Sequence, residues 1–261
     1  MNEIPHVLYK YFSPERIDVL SSGRIRISKA HTLNDPFEML PRFDEFVKET
    51  ANEADLKMHA FGELEWNDVK RIRKTQQRKD REKAFISEKG AKFQRQFGNR
   101  FGLLSFSSSI DSPVMWGHYS RDHTGFAVGF STSSPFFSNE LVRIAYGSTR
   151  PHVHRGEYKA ILQVKNEEWT YESEWRVYRS FDAAEEDSDD WHFEAFPFDA
   201  VTHIYFGLRS SSVLMHEAIG AFNSRNLKCP PFSRMRLHDC EFKLVPEVIQ
   251  NLAALPEDWT I

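Results

Sequence analysis

The stretch 171-YESEWRVYR-179 places two carboxylates, Glu172 and Glu174, two residues apart in an aromatic-rich segment. Read as a strand, it sends Glu172, Glu174, Arg176 and Tyr178 to one face and Tyr171, Ser173, Trp175 and Val177 to the other. Trp175 and Val177 then face the core. Neighbouring like charges raise a pKa or demand a cation, and Arg176 is placed to supply one, bracing Glu172 or an acidic neighbour such as Asp35 or Glu38. Such a pair suits proton transfer or the stabilisation of developing positive charge. It equally suits an ordinary solvated strand face.

Three other segments concentrate polar and aromatic residues: 9-YKY-11 with Lys10 and Tyr11, 34-NDPFE-38 with Asn34 and Asp35, and 105-SFSSSIDSPVMWGHYS-120. Ser105 and Ser107 share a strand face. They lack the GxSxG elbow of a nucleophilic serine, so their roles are to position a ligand by hydrogen bonds or to bond the backbone at a turn. Trp116, His118 and Tyr119 lie on a short helix, where the rings of Trp116 and Tyr119 could stack on a flat ligand. His118 and His123 are five apart, and His152 and His154 have no third ligand beside them, so no metal is expected. Asp35 and Glu38 beside Glu172 and Glu174 leave a carboxylate-held metal as the outside alternative. There is no P-loop, GxGxxG or HExxH.

These residues need elements to hold them. Strands are expected at 8–12, 24–28, 102–108, 125–131, 140–147, 171–179, 191–196, 202–207, 234–240 and 242–248. Helices are expected at 13–23 and 111–123, each opened by a capping Ser or Asp and a Pro, and at 211–225, where the pattern is amphipathic. Residues 158–164 fit either state. Residues 42–97 read as a charged helical insertion, interrupted at Gly62 and carrying a sparse apolar stripe. The order is strand-rich with isolated helices and no regular βαβ alternation. That predicts an α+β domain with a mixed, curved sheet spanning 1–261 and a basic helical insertion at 42–100.

With 261 residues, 40% of them apolar and 22 of them Phe, the chain can build a large core. Two cysteines make no disulfide framework. The N-terminus has no apolar signal region and no run has the length of a membrane span, so a soluble cytoplasmic protein without membrane contact is expected. The net charge of −4 hides an uneven distribution. Residues 68–100 carry twelve Lys or Arg against four acids, a local +8 that leaves −12 for the rest. Such a segment is a solvated helical face or a contact for nucleic acid.

Taken together, LYKY, LNDPFE, SFS…MWGHYS and W-x-YESEWR resemble an uncharacterised family of bacterial, phage-defence-linked proteins, over about residues 8–207. More distantly, the arrangement is similar to the ADP-ribosyltransferase superfamily. Its members carry a basic or aromatic residue on an early strand, a Ser or Tyr on a middle strand and a (Gln/Glu)-x-Glu on a later one. Here those slots fall on 9-YKY-11, 105-SFS-107 and 172-ESE-174, with Lys10 standing where Arg or His is usual, or its task passing to Tyr9 or Tyr11. The resemblance implies a curved α+β fold and NAD as substrate. It makes Glu174 the catalytic carboxylate and Glu172 its assistant at the acceptor. Lys10, Tyr11, Asn34, Asp35, Ser105, Ser107, Trp116, His118, Tyr119 and Arg176 would surround the NAD. The activity implied is transfer of ADP-ribose to a macromolecule, nucleic acid included, in a toxin or defence setting. The alternatives are NAD hydrolysis on the same fold and a non-catalytic nucleotide or nucleic-acid binding module. Oligomeric state is not encoded in these motifs.

Overall fold

Period-two patterning builds the central strands. Val7–Phe12 (β1) sends Leu8 and Phe12 into the main core and turns Tyr9 and Tyr11 to the opposite face. Phe101–Ser107 (β3) buries Leu104 and Phe106 in that core and leaves Ser105 and Ser107 on the other side. Glu174–Ser180 (β8) repeats the device, with Trp175 and Val177 inward to the main core. The computed structural model of the chain describes residues 3–41, 98–99, 101–137, 141–151, 159–181, 185–186 and 191–250. The expected insertion at 42–97, nearly all of the basic stretch 68–100, His152, His154 and most of the acidic run 182–190 lie outside the described residues.

The remaining strands are Arg24–Lys29 (β2), Phe126–Ser131 (β4), Val142–Arg143 (β5), Ala145–Gly147 (β6), Val164–Asn166 (β7), Glu185–Glu186 (β9), His192–Ala195 (β10), Val201–Phe206 (β11), Phe232–Leu237 (β12) and Leu244–Val248 (β13). Across the main sheet they run β13-β12-β11-β4-β1-β3-β2-β10-β9, with β8 paired to β3 and β5 to β8. β11 and β12 are parallel, and the other pairs of this sheet are antiparallel. β6 and β7 form a separate parallel pair. The fold is therefore α+β with an open, mostly antiparallel sheet.

Among the described residues four α-helices accompany the strands: Asp18–Ser22 (α1), Pro113–Tyr119 (α2), Lys159–Gln163 (α3) and Ser212–Asn223 (α4). α4 lays Leu214, Met215, Ala218, Ala221 and Phe222 on the main core, and its Ser211 cap accepts a hydrogen bond from the Leu214 N–H. α2 starts at Pro113 with Ser112 as its cap. The chain crosses itself tightly where β4 begins. A Cβ at Gly125 would lie 2.1 Å from the Phe12 carbonyl oxygen, and one at Gly207 would lie 2.1 Å from that of His123.

Two sequence expectations are corrected. The run 140–147 is not one strand: buried Ile144 separates β5 from β6. The run 171–179 becomes strand only at Glu174. Residues Glu167–Glu172 form a 3-10 helix, closed by Ser173 in the left-handed region at φ 46°. The ambiguous stretch 158–164 resolves into α3 followed directly by β7. Among the described residues no helix is long and apolar enough to cross a membrane.

Candidate functional site

Beside the β3–β8 pair, on the face away from the main core, lies a cluster of charged side chains almost sealed from water. Arg176 is fully buried. Its guanidinium donates to both oxygens of Glu38 at 2.7 and 2.9 Å and to both oxygens of Glu174 at 2.7 and 2.8 Å. Lys165, on β7, donates to Glu172 at 2.5 Å and to Glu174 at 3.3 Å, and stands 3.9 Å from Glu38. Glu38, Glu172 and Glu174 are each at most 4% exposed. Three acids thus face two cations, and each carboxylate accepts a hydrogen bond from at least one of them, as burial of such groups requires.

The local sequence explains how each member arrives. In 34-NDPFE-38 the Asp35 carboxylate accepts from the Phe37 N–H at 2.8 Å, and the Glu38 N–H bonds the Asp35 carbonyl at 3.1 Å. The resulting turn aims Glu38 at Arg176, and Pro36 keeps Asp35 out of a helix. The left-handed Ser173 ends the 3-10 helix and starts the strand, so Glu172 reaches the cluster from the helix end and Glu174 from the strand. Glu172 and Glu174 are therefore not two alternate residues of one strand face, although both carboxylates meet Lys165. Arg176 braces Glu38, as its position suggested, and also Glu174 rather than Glu172.

The two carboxylates sit in opposed settings. Burial penalises the Glu174 charge, but Arg176 and Lys165, with a hydrogen bond from the Ser105 hydroxyl, outweigh it and hold the group down to about 2. For Glu172, burial dominates and the neighbouring Glu174 charge adds to it, so its carboxyl is pushed up against the pull of Lys165. Burial disfavours the Lys165 ammonium, yet three carboxylates more than offset that and raise it. The Tyr119 hydroxyl donates to Glu172 Oε1 and accepts from Asn34 Nδ2 at 2.8 Å. Burial and the Glu172 charge together push the Tyr119 phenol well up. Tyr146, from β6, accepts the Glu174 N–H at 2.8 Å.

Around Glu172 the rim is aromatic. His118 Nδ1 lies 2.9 Å from the Tyr171 hydroxyl, Trp169 and Tyr171 are 6.0 Å apart between ring centroids, and Lys165 Nζ stands 4.9 Å from the Trp169 centroid. Asn34 and His118 are exposed, while Tyr119 and Tyr171 are half-buried. Next to the cluster, between the 37–40 turn and the 147–151 loop, opens a cleft of about 360 Å³ with Lys165 in its wall.

The expected site residues separate into those that meet and those that do not. Glu172, Glu174, Arg176, Tyr119, Asn34 and Ser105 are joined through direct bonds. Lys10 shares the Leu8 and Phe12 face of β1, and its ammonium, 5.3 Å from the Phe106 centroid, donates to the Ser105 backbone carbonyl at 2.9 Å. β1 pairs with β3 only at Tyr9↔Ser107 before the sheet splits and β2 takes over, so Lys10 satisfies a carbonyl at that split. Burial pulls its ammonium down to about 8. Ser107 is absorbed by the backbone, donating to the Glu172 carbonyl at 2.6 Å, and Tyr11 donates to the Ser109 carbonyl at 2.7 Å. Trp116 is fully buried and donates to the Ile110 carbonyl at 2.7 Å, so it cannot stack on a ligand. Asp35 is a buried turn former.

Sequence reasoning missed Lys165 and Tyr146. A lone Lys after 160-AILQV-164 was the available signal, since a charge at the end of an apolar run must find partners. Compared with known proteins, the chain matches no family model, no curated protein and no solved structure.

Proposed function

We propose that the Glu172–Glu174 centre cleaves the nicotinamide–ribose bond of NAD, on a fold of the ADP-ribosyltransferase kind. The observation that carries this reading is the opposed setting of the two carboxylates. Glu174, held down to about 2, is a standing negative charge, which is what an oxocarbenium-like sugar needs beside it. Glu172, pushed up and bonded to the Tyr119 phenol, is the group suited to take a proton from an acceptor. Tyr119, Tyr171 and Trp169 offer ring faces to nicotinamide or adenine. On this reading Lys10, buried beside Ser105 and within reach of the Glu174 charge, fills the early-strand slot. Transfer to a nucleic acid drawn by residues 68–100, in a toxin or phage-defence role in the cytoplasm, extends the same reading.

One observation favours a second reading, a non-catalytic nucleotide-binding module: Arg176 already engages both oxygens of Glu174. Purified protein incubated with adenylate-labelled NAD and cell lysate separates the two. Nicotinamide release with label on RNA, DNA or protein identifies a transferase, and release without label identifies a hydrolase. NAD binding without release supports the second reading, and neither binding nor release overturns both.

A further inference from the structure

We infer that the cleft between the 37–40 turn and the 147–151 loop is a binding site for an organic phosphate bearing a flat ring, of mononucleotide size. Its volume of about 360 Å³ lies at the lower end of the roughly 300–1,000 Å³ usual for small-molecule sites. The chemistry of the wall is one-sided. Among the described residues no acidic side chain lines it, while Arg150 and Lys165 both do. Lys165 is only 5% exposed and already shared among carboxylates, so it fixes the polar end of the cleft without being a free anchor. Arg150 is different. Among the described residues it has no ion-pair partner, and its guanidinium stands 5.7 Å from the Phe37 ring centroid.

That pairing divides the cleft into two functions. Phe37 is 52% exposed, a large ring left in water at the edge of a concave surface, and Met39 and Ile161 behind it are buried apolar side chains. A planar ring packs against this side. The Arg150 fork, with its five N–H donors, matches phosphate oxygens at the loop side. Gly147 leaves the wall bare, since a Cβ built there meets no atom of the described residues within 4 Å. Ligand backbone or sugar can therefore lie against the 147–149 main chain. The inference stands apart from NAD cleavage: the cleft can hold a nucleotide whether or not Glu174 does chemistry.

The same open space at Gly147 supplies a steric test, because Gly147→Leu adds bulk at a cleft-lining position without a clash at its Cβ. AMP, adenosine and inorganic phosphate are titrated calorimetrically into the wild-type protein, Gly147→Leu and Arg150→Gln, with melting temperatures as the folding control. The expected result is saturable AMP binding at one site, at least 10-fold weaker in each variant, with adenosine and phosphate each weaker than AMP. Retention of full AMP affinity by folded Gly147→Leu overturns the site. Adenosine binding as tightly as AMP, or unchanged AMP affinity in Arg150→Gln, overturns the phosphate assignment. Failure of AMP to saturate the wild-type protein overturns the whole inference. Nicotinamide release, measured separately on the wild-type protein, does not enter any of these outcomes.

Discussion

Replacing Arg176 by Met keeps much of the side-chain length and removes the charge at the centre of the cluster. The guanidinium makes four hydrogen bonds of 2.7 to 2.9 Å to Glu38 and Glu174, at zero exposure. Without it both carboxylates stay buried, with Lys165 at 3.3 Å from one and 3.9 Å from the other. Removing one partner of a buried ion pair costs about 3–5 kcal/mol, because the other charge is left uncompensated. At roughly 2–4 °C per kcal/mol for a domain of this order of size, the melting temperature falls by about 6–20 °C. Calorimetry and urea denaturation read both quantities. The double variant Glu38→Gln/Arg176→Met is expected to be more stable than the sum of the single losses, by about 0.5–3 kcal/mol, since each single change orphans the other's partner. The exposed Arg236–Asp239 pair, with side chains 47% and 82% exposed, is the contrast: its removal changes stability by less than about 1 kcal/mol. A loss below about 1 kcal/mol for Arg176→Met, or strict additivity in the double variant, refutes the account of the cluster.

Three further outcomes follow from the same geometry. Glu174 is held down to about 2 against 4.5 when unperturbed, so the unfolded chain takes up its proton first on acidification. Its contribution to stability is complete above pH 4.5 and is lost as pH falls from there towards 2, and urea titrations across that window should show a flatter profile for Glu174→Gln. Ser211→Ala removes the α4 cap and should cost about 1 kcal/mol by the same denaturation assay. Gly207→Ala places a Cβ 2.1 Å from the His123 carbonyl oxygen, a backbone atom that cannot rotate aside, and should lower stability by about 1–3 kcal/mol.

Much of the sheet was legible because its pattern is local. Leu8 and Phe12, Leu104 and Phe106, and Trp175 and Val177 each announce a core face by period-two spacing. The helix start at Ser112-Pro113 was equally local, written in a cap and a proline. What failed was continuation of a pattern across a break. The alternation through 171-YESEWR-176 runs on into a 3-10 helix, because only the left-handed φ of Ser173 marks the change and no residue type announces it. The site's membership was half visible. Glu38 and Arg176 are 138 residues apart, and their bond depends on a turn and a strand pairing that the sequence does not state. The setting of Lys10 is hidden for a related reason: whether a strand Lys reaches into a site or plugs a split in the sheet is decided by where its neighbours diverge.

The most direct measurement is nicotinamide release from NAD at neutral pH by the wild-type protein and by Glu174→Gln, each verified as folded by circular dichroism. Release by the wild-type protein, slowed at least about 100-fold in Glu174→Gln, is the predicted result, since the variant removes the charge placed beside the developing cation. Equal rates for the two proteins, or no release by the wild-type protein while it binds NAD, contradict a catalytic Glu172–Glu174 centre.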